Sequence, residues 1–439
     1  MSTPLTTAEI PAPFIVSALV AVLICIFIIR SYETSSYRSL RYPPGPHPLP
    51  IVGNIFQFPA SRWWLKFTEL GPLVHLSVAN KHIVLINSQE MAAELLDRTS
   101  TADRPLLLMA GELMGFDASI AFIGYGERWR TYRRISNKVM SVSSVKMYSE
   151  TLAREAIRLV STLLDDPHSY SEQIRFSLGR TIMEAIYGID CLSPDDTYIK
   201  VAEETLENIS HAVIPGSYMV DVIPWHSTEP KVKYLPYIGL PFQRHVRLGR
   251  KQLKLMVGRP FQHVLRTRLD GTARPSFTSS ILDGEIGLAD SSERDDIMSW
   301  AAGTMYGGVA HVCRDDIEYK DYHLPKGTIL ISNVWSISQN SSYYEDPQAF
   351  NPDRFLKEHA ELDPFNFAFG YGPRICLGRY FAIDQLYIVV ASLLWAFVIT
   401  PLEKESLPHP SYTSGFISAP SPFRCNIAPR HDGVEYLRR

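Results

Sequence analysis

Two short stretches near the start of the chain carry the clearest strand patterns. Residues 74–78 alternate apolar and polar side chains, and residues 82–86 are rich in β-branched and other apolar residues. Alternation with a period of two and β-branched runs are typical of strands. Similar signals return late, at residues 328–331 and near Phe416. We therefore predict a small β region assembled from both ends of the chain.

Helix-compatible stretches dominate the remainder. The predicted helices cover residues 89–96, 126–140, 149–164, 171–187, 200–212, 240–268 and 377–390. Because these stretches are longer and more numerous than the strand signals, the pattern predicts a fold that is mainly α with a minor β region.

The N-terminal segment differs from the rest in kind. Residues 10–29 carry no charge, and a segment of this length can form one membrane-spanning helix. Glu9 precedes the segment and Arg30, Arg38 and Arg41 follow it, so the positive-inside rule predicts a cytosolic body. A cleaved signal peptide is disfavoured because no basic region precedes the apolar run.

A proline-rich stretch follows the predicted membrane segment. Residues 42–50 contain five prolines, which exclude regular structure and favour a stiff, extended connector. We therefore divide the chain into a membrane anchor (residues 1–30), a proline-rich hinge (31–50) and a body (51–439).

Composition narrows the class of protein. The chain has 439 residues, of which 46% are hydrophobic and 20% charged, as expected of a globular protein with an added apolar segment. A formal net charge of −3 gives no support to nucleic-acid binding. Five scattered cysteines make a disulfide framework improbable and favour a reducing compartment.

The loop at residues 369–378 (Phe-Gly-Tyr-Gly-Pro-Arg-Ile-Cys-Leu-Gly) holds the strongest chemical signal. Its three glycines and one proline predict a tight turn, from which Cys376 projects just before a predicted helix. A helix N-terminus and nearby Arg374 favour a thiolate, which is a strong metal ligand. On haem iron, a thiolate promotes cleavage of an O–O bond. The alternative is a buried structural cysteine.

A second candidate site lies on the predicted helix 126–140. Trp129 and Arg133 are four residues apart, so their side chains share one helical face. An indole N–H and a guanidinium can both donate to a carboxylate. The alternative is a basic helix that faces solvent.

The loop at residues 369–378 resembles the haem-binding loop of the cytochrome P-450 superfamily, and residues 350–355 resemble the family's Pro-x-Arg-Phe element. The chain is most similar to the microsomal members of fungal secondary metabolism. The resemblance implies the cytochrome P-450 fold, preceded by a single N-terminal transmembrane helix, and heme b as cofactor. The implied cofactor-binding residues are Trp129, Arg133, His311, Phe369, Arg374, Cys376 and Gly378, with Cys376 as the iron ligand and His311 as a further propionate contact.

The resemblance also implies a reaction and its partners. One oxygen atom from O2 would enter a lipophilic small molecule, with electrons from NADPH-cytochrome P-450 reductase at the endoplasmic reticulum membrane. Residues 106–116, 213–222 and 413–418 fall where the family lines its substrate pocket. Apolar stretches of this kind are also typical of core, and both interpretations stay open.

The sequence departs from the family in its second half. Residues 300–310 resemble the start of the long helix over the haem, but no threonine occurs between Thr304 and Thr328. The acid–threonine pair of the family is therefore absent, and no catalytic residue is identified beyond the haem iron. Residues 311–331 resemble the strands that follow the family's Glu-x-x-Arg helix, which indicates an internal deletion between residues 310 and 311.

The deletion leaves two hypotheses about function. One is a monooxygenase, and the other is a haem-binding or unstable splice or gene-model variant without monooxygenase activity. We also expect Arg354, in the Pro-x-Arg-Phe element, to lack the partner that the missing helix supplies in the family.

Overall fold

The computed structural model describes most of the chain. The described residues are 20–24, 41–49, 52–59, 62–78, 81–214, 217–222, 242–284, 291–303, 310–356, 360–402, 411–413 and 418–437.

Helices are the main regular structure of the described residues, as the sequence pattern predicts. The helices of the first half are α1 (Trp63–Thr68), α2 (Gln89–Leu96), α3 (Glu127–Met140), α4 (Ser149–Asp165), α5 (Tyr170–Tyr187), α6 (Thr197–Ala212) and α7 (Met219–Val222). Those of the second half are α8 (Phe242–Leu269), α9 (Phe277–Asp283), α10 (Ser291–Gly303), α11 (Val334–Ser338), α12 (Phe365–Ala368) and α13 (Arg379–Ala396).

Within the described part of the chain, the strands form three small sheets. They are β1 (Leu73–Val78), β2 (Lys81–Ile86), β3 (His311–Val312), β4 (Ile317–Tyr319), β5 (Tyr322–Leu324), β6 (Ile329–Ser332), β7 (Phe397–Thr400) and β8 (Asn426–Pro429). The largest sheet has the order β1-β2-β6-β3, in which β6 runs parallel to β2 and antiparallel to β3. It joins strands from both ends of the chain, as predicted.

The main helical core lies between α3, α5, α8, α9, α10 and α13. Tyr132 of α3, Phe277 of α9 and Met298 of α10 are fully buried in it. The ring of Phe381, from the first turn of α13, meets the ring of Tyr148 edge-on at 5.4 Å. This packing fixes the N-terminus of α13 against the helical body.

The predicted helices are confirmed to within a few residues at most ends, with two larger differences. Helix α13 begins at Arg379 and continues to Ala396, six residues beyond its predicted end. Helix α10 begins at Ser291, well before the predicted start near Trp300. Charged residues fill its first turns, so the apolar pattern becomes visible only near its end. Phe416 lies outside the described residues.

Among the described residues, no helix is both long and apolar enough to cross a membrane. Only residues 20–24 of the predicted anchor are described, and they are helical. The remainder of the predicted anchor lies outside the described residues.

The expectation that Arg354 lacks a partner is wrong. Its buried guanidinium pairs with the carboxylate of Glu361 and donates to the carbonyl oxygens of Glu345 (2.9 Å), Asp346 (3.0 Å) and Ala349 (3.0 Å). A buried guanidinium needs both a counter-charge and acceptors for its N–H groups. Here Glu361 supplies the counter-charge.

We predict that Glu361→Gln lowers the free energy of unfolding by about 2 kcal/mol, because buried Arg354 would lose its charged partner. Urea unfolding followed by circular dichroism measures this change. Glu127→Gln is the matched control, since Glu127 pairs with Arg130 at the surface and exposed pairs contribute at most about 1 kcal/mol. Equal effects of the two substitutions would contradict the prediction.

Candidate functional site

The Cys376 loop packs directly on the end of helix α2. Gly370 and Gly372 adopt positive φ angles of 75° and 49°. A Cβ atom at Gly372 would lie 2.6 Å from the Cα of Asp97 and 2.8 Å from the carbonyl oxygen of Leu96. Only glycine satisfies both the backbone conformation and this close approach. The turn is therefore fixed at its base, as its composition predicts.

Cys376 is held at the end of this turn by its own backbone. Its N–H donates to the carbonyl oxygen of Phe369 at 2.8 Å, and Arg379 donates to the carbonyl oxygen of Cys376 at 3.1 Å. The ring of Phe369 lies 5.4 Å from that of Phe365 in α12. The side chain of Cys376 is partly exposed.

The electrostatics of the thiol differ from the sequence-based expectation. Burial raises the pKa of Cys376, and the opposing influences are the backbone N–H of Gly378 and the charges of Arg379 and Arg133. The prediction of a thiolate favoured by Arg374 is therefore wrong for the free thiol. Iron would change this balance, because a coordinating thiol loses its proton.

Trp129 and Arg133 of α3 face the Cys376 loop rather than solvent. Nη1 of Arg133 donates to the carbonyl oxygen of Ile375 at 2.6 Å. The guanidinium carbon atoms of Arg374 and Arg133 lie 4.5 Å and 5.6 Å from the centre of the Trp129 ring. The structure thus brings three of the predicted propionate contacts together around one buried indole.

Arg374 points away from Cys376, into the segment that precedes α3. Its guanidinium donates to the carbonyl oxygens of Ala102 (2.7 Å) and Ile123 (2.9 Å). Burial lowers the pKa of Arg374 to about 10, and the carboxylate of Asp103 opposes this shift. All of these acceptors are backbone carbonyls, so the positive charge of Arg374 is solvated by dipoles rather than neutralised by contact.

His311 lies in β3 and is buried. Its Nδ1 is 3.1 Å from the carbonyl oxygen of Thr101, an acceptor, so Nδ1 carries the proton. Burial and the charge of Arg104 lower the pKa of His311 to about 3. The neutral ring therefore has an Nε2 atom that can only accept a hydrogen bond. In this protonation state, His311 cannot donate to a carboxylate.

Arg104 is a site residue that sequence reasoning missed. It is buried and donates to the carbonyl oxygens of Ala121 (2.7 Å) and Ala310 (3.1 Å). Burial and the charge of Arg374 lower its pKa well below the ordinary arginine value. The sequence feature that could have identified Arg104 is its place between Asp103 and a proline, directly before an apolar run.

Arg104, Arg133 and Arg374 form a cluster of three guanidiniums, which we call the arginine cluster. Asp103 is the carboxylate that favours the charged forms of Arg104 and Arg374. Arg379 adds a further positive charge near Arg133, so positive charge exceeds negative charge in this region. Because buried charge is costly without a counter-charge, this excess suits a ligand that carries carboxylate groups.

The segments predicted to line a substrate pocket fall into two groups. Most of residues 107–116 pack with Ile209, Val213 and α8 in one apolar cluster, so they contribute to the core of the described structure. Residues 414–417 lie outside the described residues. Tyr412 and Ser418, on either side of them, line a cleft of about 480 Å³.

Aromatic and aliphatic residues form most of the walls of this cleft. They include Trp63, Trp64, Trp335 and Tyr412, together with Gly370 and Tyr371 of the Cys376 loop. Volumes of this size are typical of small-molecule sites. Its position beside the Cys376 loop makes it a candidate substrate site.

Comparison with known proteins places this geometry in a family. The sequence model described as Cytochrome P-450 matches residues 43–229 and 304–427. Cytochrome P-450 monooxygenase 105 of Postia placenta is 29% identical over 482 residues, which cover 91% of each chain. The monooxygenase COX2 of Coprinopsis cinerea is 27% identical over 506 residues, which cover 95% of each chain. The chain therefore belongs to the cytochrome P-450 family of haem-thiolate monooxygenases.

Proposed function

We propose that this chain inserts one oxygen atom from O2 into a lipophilic small molecule, with heme b bound through Cys376. The observation that carries the proposal is the arginine cluster beside the Cys376 loop. Haem carries two propionate groups, which would supply negative charge to this cluster of positive charges. The link through Arg133 and the carbonyl oxygen of Ile375 joins cluster and loop.

The residues present fit the cofactor at both of its polar attachments. Cys376 would supply the iron ligand, with its charge stabilised by the N–H of Gly378 and by Arg133 and Arg379. Arg104, Arg133 and Arg374 would bind the propionates, with Trp129 between two of them. Guanidinium–carboxylate hydrogen bonds are charge-assisted and strong.

His311 can join these contacts only after it takes up a proton. A propionate near the ring would favour the imidazolium, because an opposite charge raises a histidine pKa. Its Nε2–H could then donate while Nδ1–H stays on the carbonyl oxygen of Thr101. We therefore assign His311 a conditional role in cofactor binding.

The haem, when bound, would supply the oxygen-activating chemistry of the family. The chain's own residues would hold the substrate and exclude water from it. Aromatic and aliphatic walls in the cleft of about 480 Å³ support a lipophilic substrate. The wall residues Gly370 and Tyr371 place this cleft next to the loop that carries Cys376.

Partners and location follow from the same proposal. We expect electrons from NADPH-cytochrome P-450 reductase and attachment to the endoplasmic reticulum membrane. The uncharged segment at residues 10–29 supports an anchor. The similarity to monooxygenases of the fungi Postia placenta and Coprinopsis cinerea supports a fungal role, which we place in secondary metabolism.

A specific observation favours a second candidate, a variant without monooxygenase activity. The alignments to relatives extend over 481 to 508 residues, although this chain has 439. They therefore include residues of the relatives that have no counterpart here, which supports the loss of an internal segment from this chain. The chain also lacks a threonine between Thr304 and Thr328 to assist proton delivery.

We predict that the full chain, reduced and treated with carbon monoxide, gives the Soret band typical of thiolate-ligated haem. Cys376→Ser should abolish this band, because an alcohol does not replace a thiolate ligand. Cys425→Ser is the matched control and should retain it. Oxidation of a lipophilic substrate with NADPH and reductase then separates the two candidate functions.

Each result of this experiment has one meaning. A thiolate band with turnover supports the monooxygenase, and a thiolate band without turnover supports the inactive variant. Failure of the chain to incorporate haem would overturn the proposed function.

We predict that Arg104→Gln weakens haem binding about tenfold, because one charge-assisted contact contributes roughly 1.5–3 kcal/mol. Haem titration of the purified variants measures the change. Arg130→Gln is the matched control, since Arg130 lies on the exposed side of α3 and pairs with Glu127. If both variants bind haem equally well, Arg104 does not contact the propionates.

A further inference from the structure

The proline-rich segment does not extend freely from the body. Residues 41–49, which we call the connector, lie against β1 and β5. The N–H of His75 donates to the carbonyl oxygen of Pro44, and the N–H of His323 donates to that of Arg41, both at 2.8 Å. The connector is therefore attached to two strands from distant parts of the sequence.

Close packing at Gly45 strengthens this attachment. A Cβ atom at Gly45 would lie 1.9 Å from the carbonyl oxygen of His75. Any residue larger than glycine would force the connector away from β1. Farther along, the side chains of Asn54 and Gln57 donate to the carbonyl oxygens of Pro46 and His47, each at 2.9 Å.

A histidine pair forms the surface on which the connector rests. His75 of β1 pairs with Val84 and His82 of β2 pairs with Ser77, so the two histidines are diagonal neighbours, and Nε2 of His75 lies 2.9 Å from Nδ1 of His82. The ring of Tyr42 stacks on both imidazoles, at 4.8 Å and 5.1 Å between ring centres. One connector side chain therefore covers both histidines.

The hydrogen bond between the imidazoles needs one protonated and one unprotonated facing nitrogen. A first additional proton can enter on an outward nitrogen and leave this bond intact. A second additional proton puts an N–H group on each of the two facing nitrogens and a positive charge on each ring. The two imidazoles must then separate. Separation would remove the flat surface under Tyr42.

We propose that the β1–β2 hairpin is a docking surface for the connector, closed while the His75–His82 pair is hydrogen-bonded and opened when both imidazoles are charged. The partner is a segment of this same chain, the one that leads to the apolar N-terminal stretch. The proposal does not depend on whether the chain binds haem.

The neighbouring groups support a closed state at neutral pH. Burial lowers the pKa of His75 to about 4, and His82 lowers it further in the same direction. Burial and His323 of β5 lower the pKa of His82. His323 itself contacts Glu318 of β4 at 2.6 Å, and Lys81 stands next to His82 on β2.

The direction of the pH dependence follows from these shifts. Both pKa values lie below the ordinary histidine value of 6.5, so the neutral forms stabilise the docked state. This contribution is complete above pH 6.5 and is lost as the pH falls from 6.5 towards 4. Acid should therefore release the connector while neutral solution keeps it docked.

Fluorine NMR tests the proposal on the full-length chain in lipid nanodiscs. With 4-fluorophenylalanine at position 42, we expect one resonance at pH 8 and a second, from the released connector, that grows as the pH falls below 6.5. Gly45→Ala should show the released resonance already at pH 8. Gly258→Ala is the matched control, since its added methyl group meets open space.

A double variant separates the histidine pair from other causes. In H75Q/H82N, amide groups keep hydrogen bonding near both positions but cannot be charged, so the acid release should disappear. The exposed His168 serves as the control, because His168→Asn should leave the transition unchanged. The proposal is overturned if the double variant releases the connector over the same pH range as the wild type. It is equally overturned if the second resonance appears only where near-ultraviolet circular dichroism shows global unfolding.

Discussion

Buried positive charge beside the Cys376 loop is the constraint on which the rest of the site depends. The arginine cluster is solvated by carbonyl oxygens from widely separated segments, among them those of Ala102, Ala121 and Ile375. Each guanidinium therefore links segments that are far apart in the sequence. The guanidiniums that would bind the haem propionates also connect the Cys376 loop to helix α3, through Arg133 and the carbonyl oxygen of Ile375. Cofactor binding and local stability are thus coupled, because both satisfy the same guanidiniums.

Local patterns predicted most helices and strands because their information lies within a few residues. Helix α2 has its predicted bounds, and β1 and β2 differ from theirs by one residue. Contacts between distant segments were not predictable in this way. The pairing of Glu361 with Arg354 is one example, since the spacing of the two residues matches no regular element. Arg104 becomes a site residue only because β3 brings the carbonyl oxygen of Ala310 to it.

The candidate site shows the same limit at the level of chemistry. The sequence predicted which residue types gather, and Trp129, Arg133 and Arg374 do gather. It could not predict the protonation states of Cys376 and His311, because burial is the largest influence on their pKa values. The thiol of Cys376 has a raised pKa despite Arg133 and Arg379, and His311 is neutral beside two arginines. A motif identifies donors and ligands, whereas the folded environment decides which of them is charged.

The position of β3 explains how the sheet persists directly after the proposed deletion. Val312 donates to the carbonyl oxygen of Asp103, and Arg314 donates to that of Ser100. On its other side, β3 pairs with β6, which in turn pairs with β2. All of these partners are present in this chain. Strand β3 therefore keeps its place in the sheet without the proposed missing residues. Because β2 also carries His82, the sheet that positions His311 is the same one on which the connector docks. The proposed loss of residues before β3 would therefore leave intact the sheet that holds both His311 and the connector.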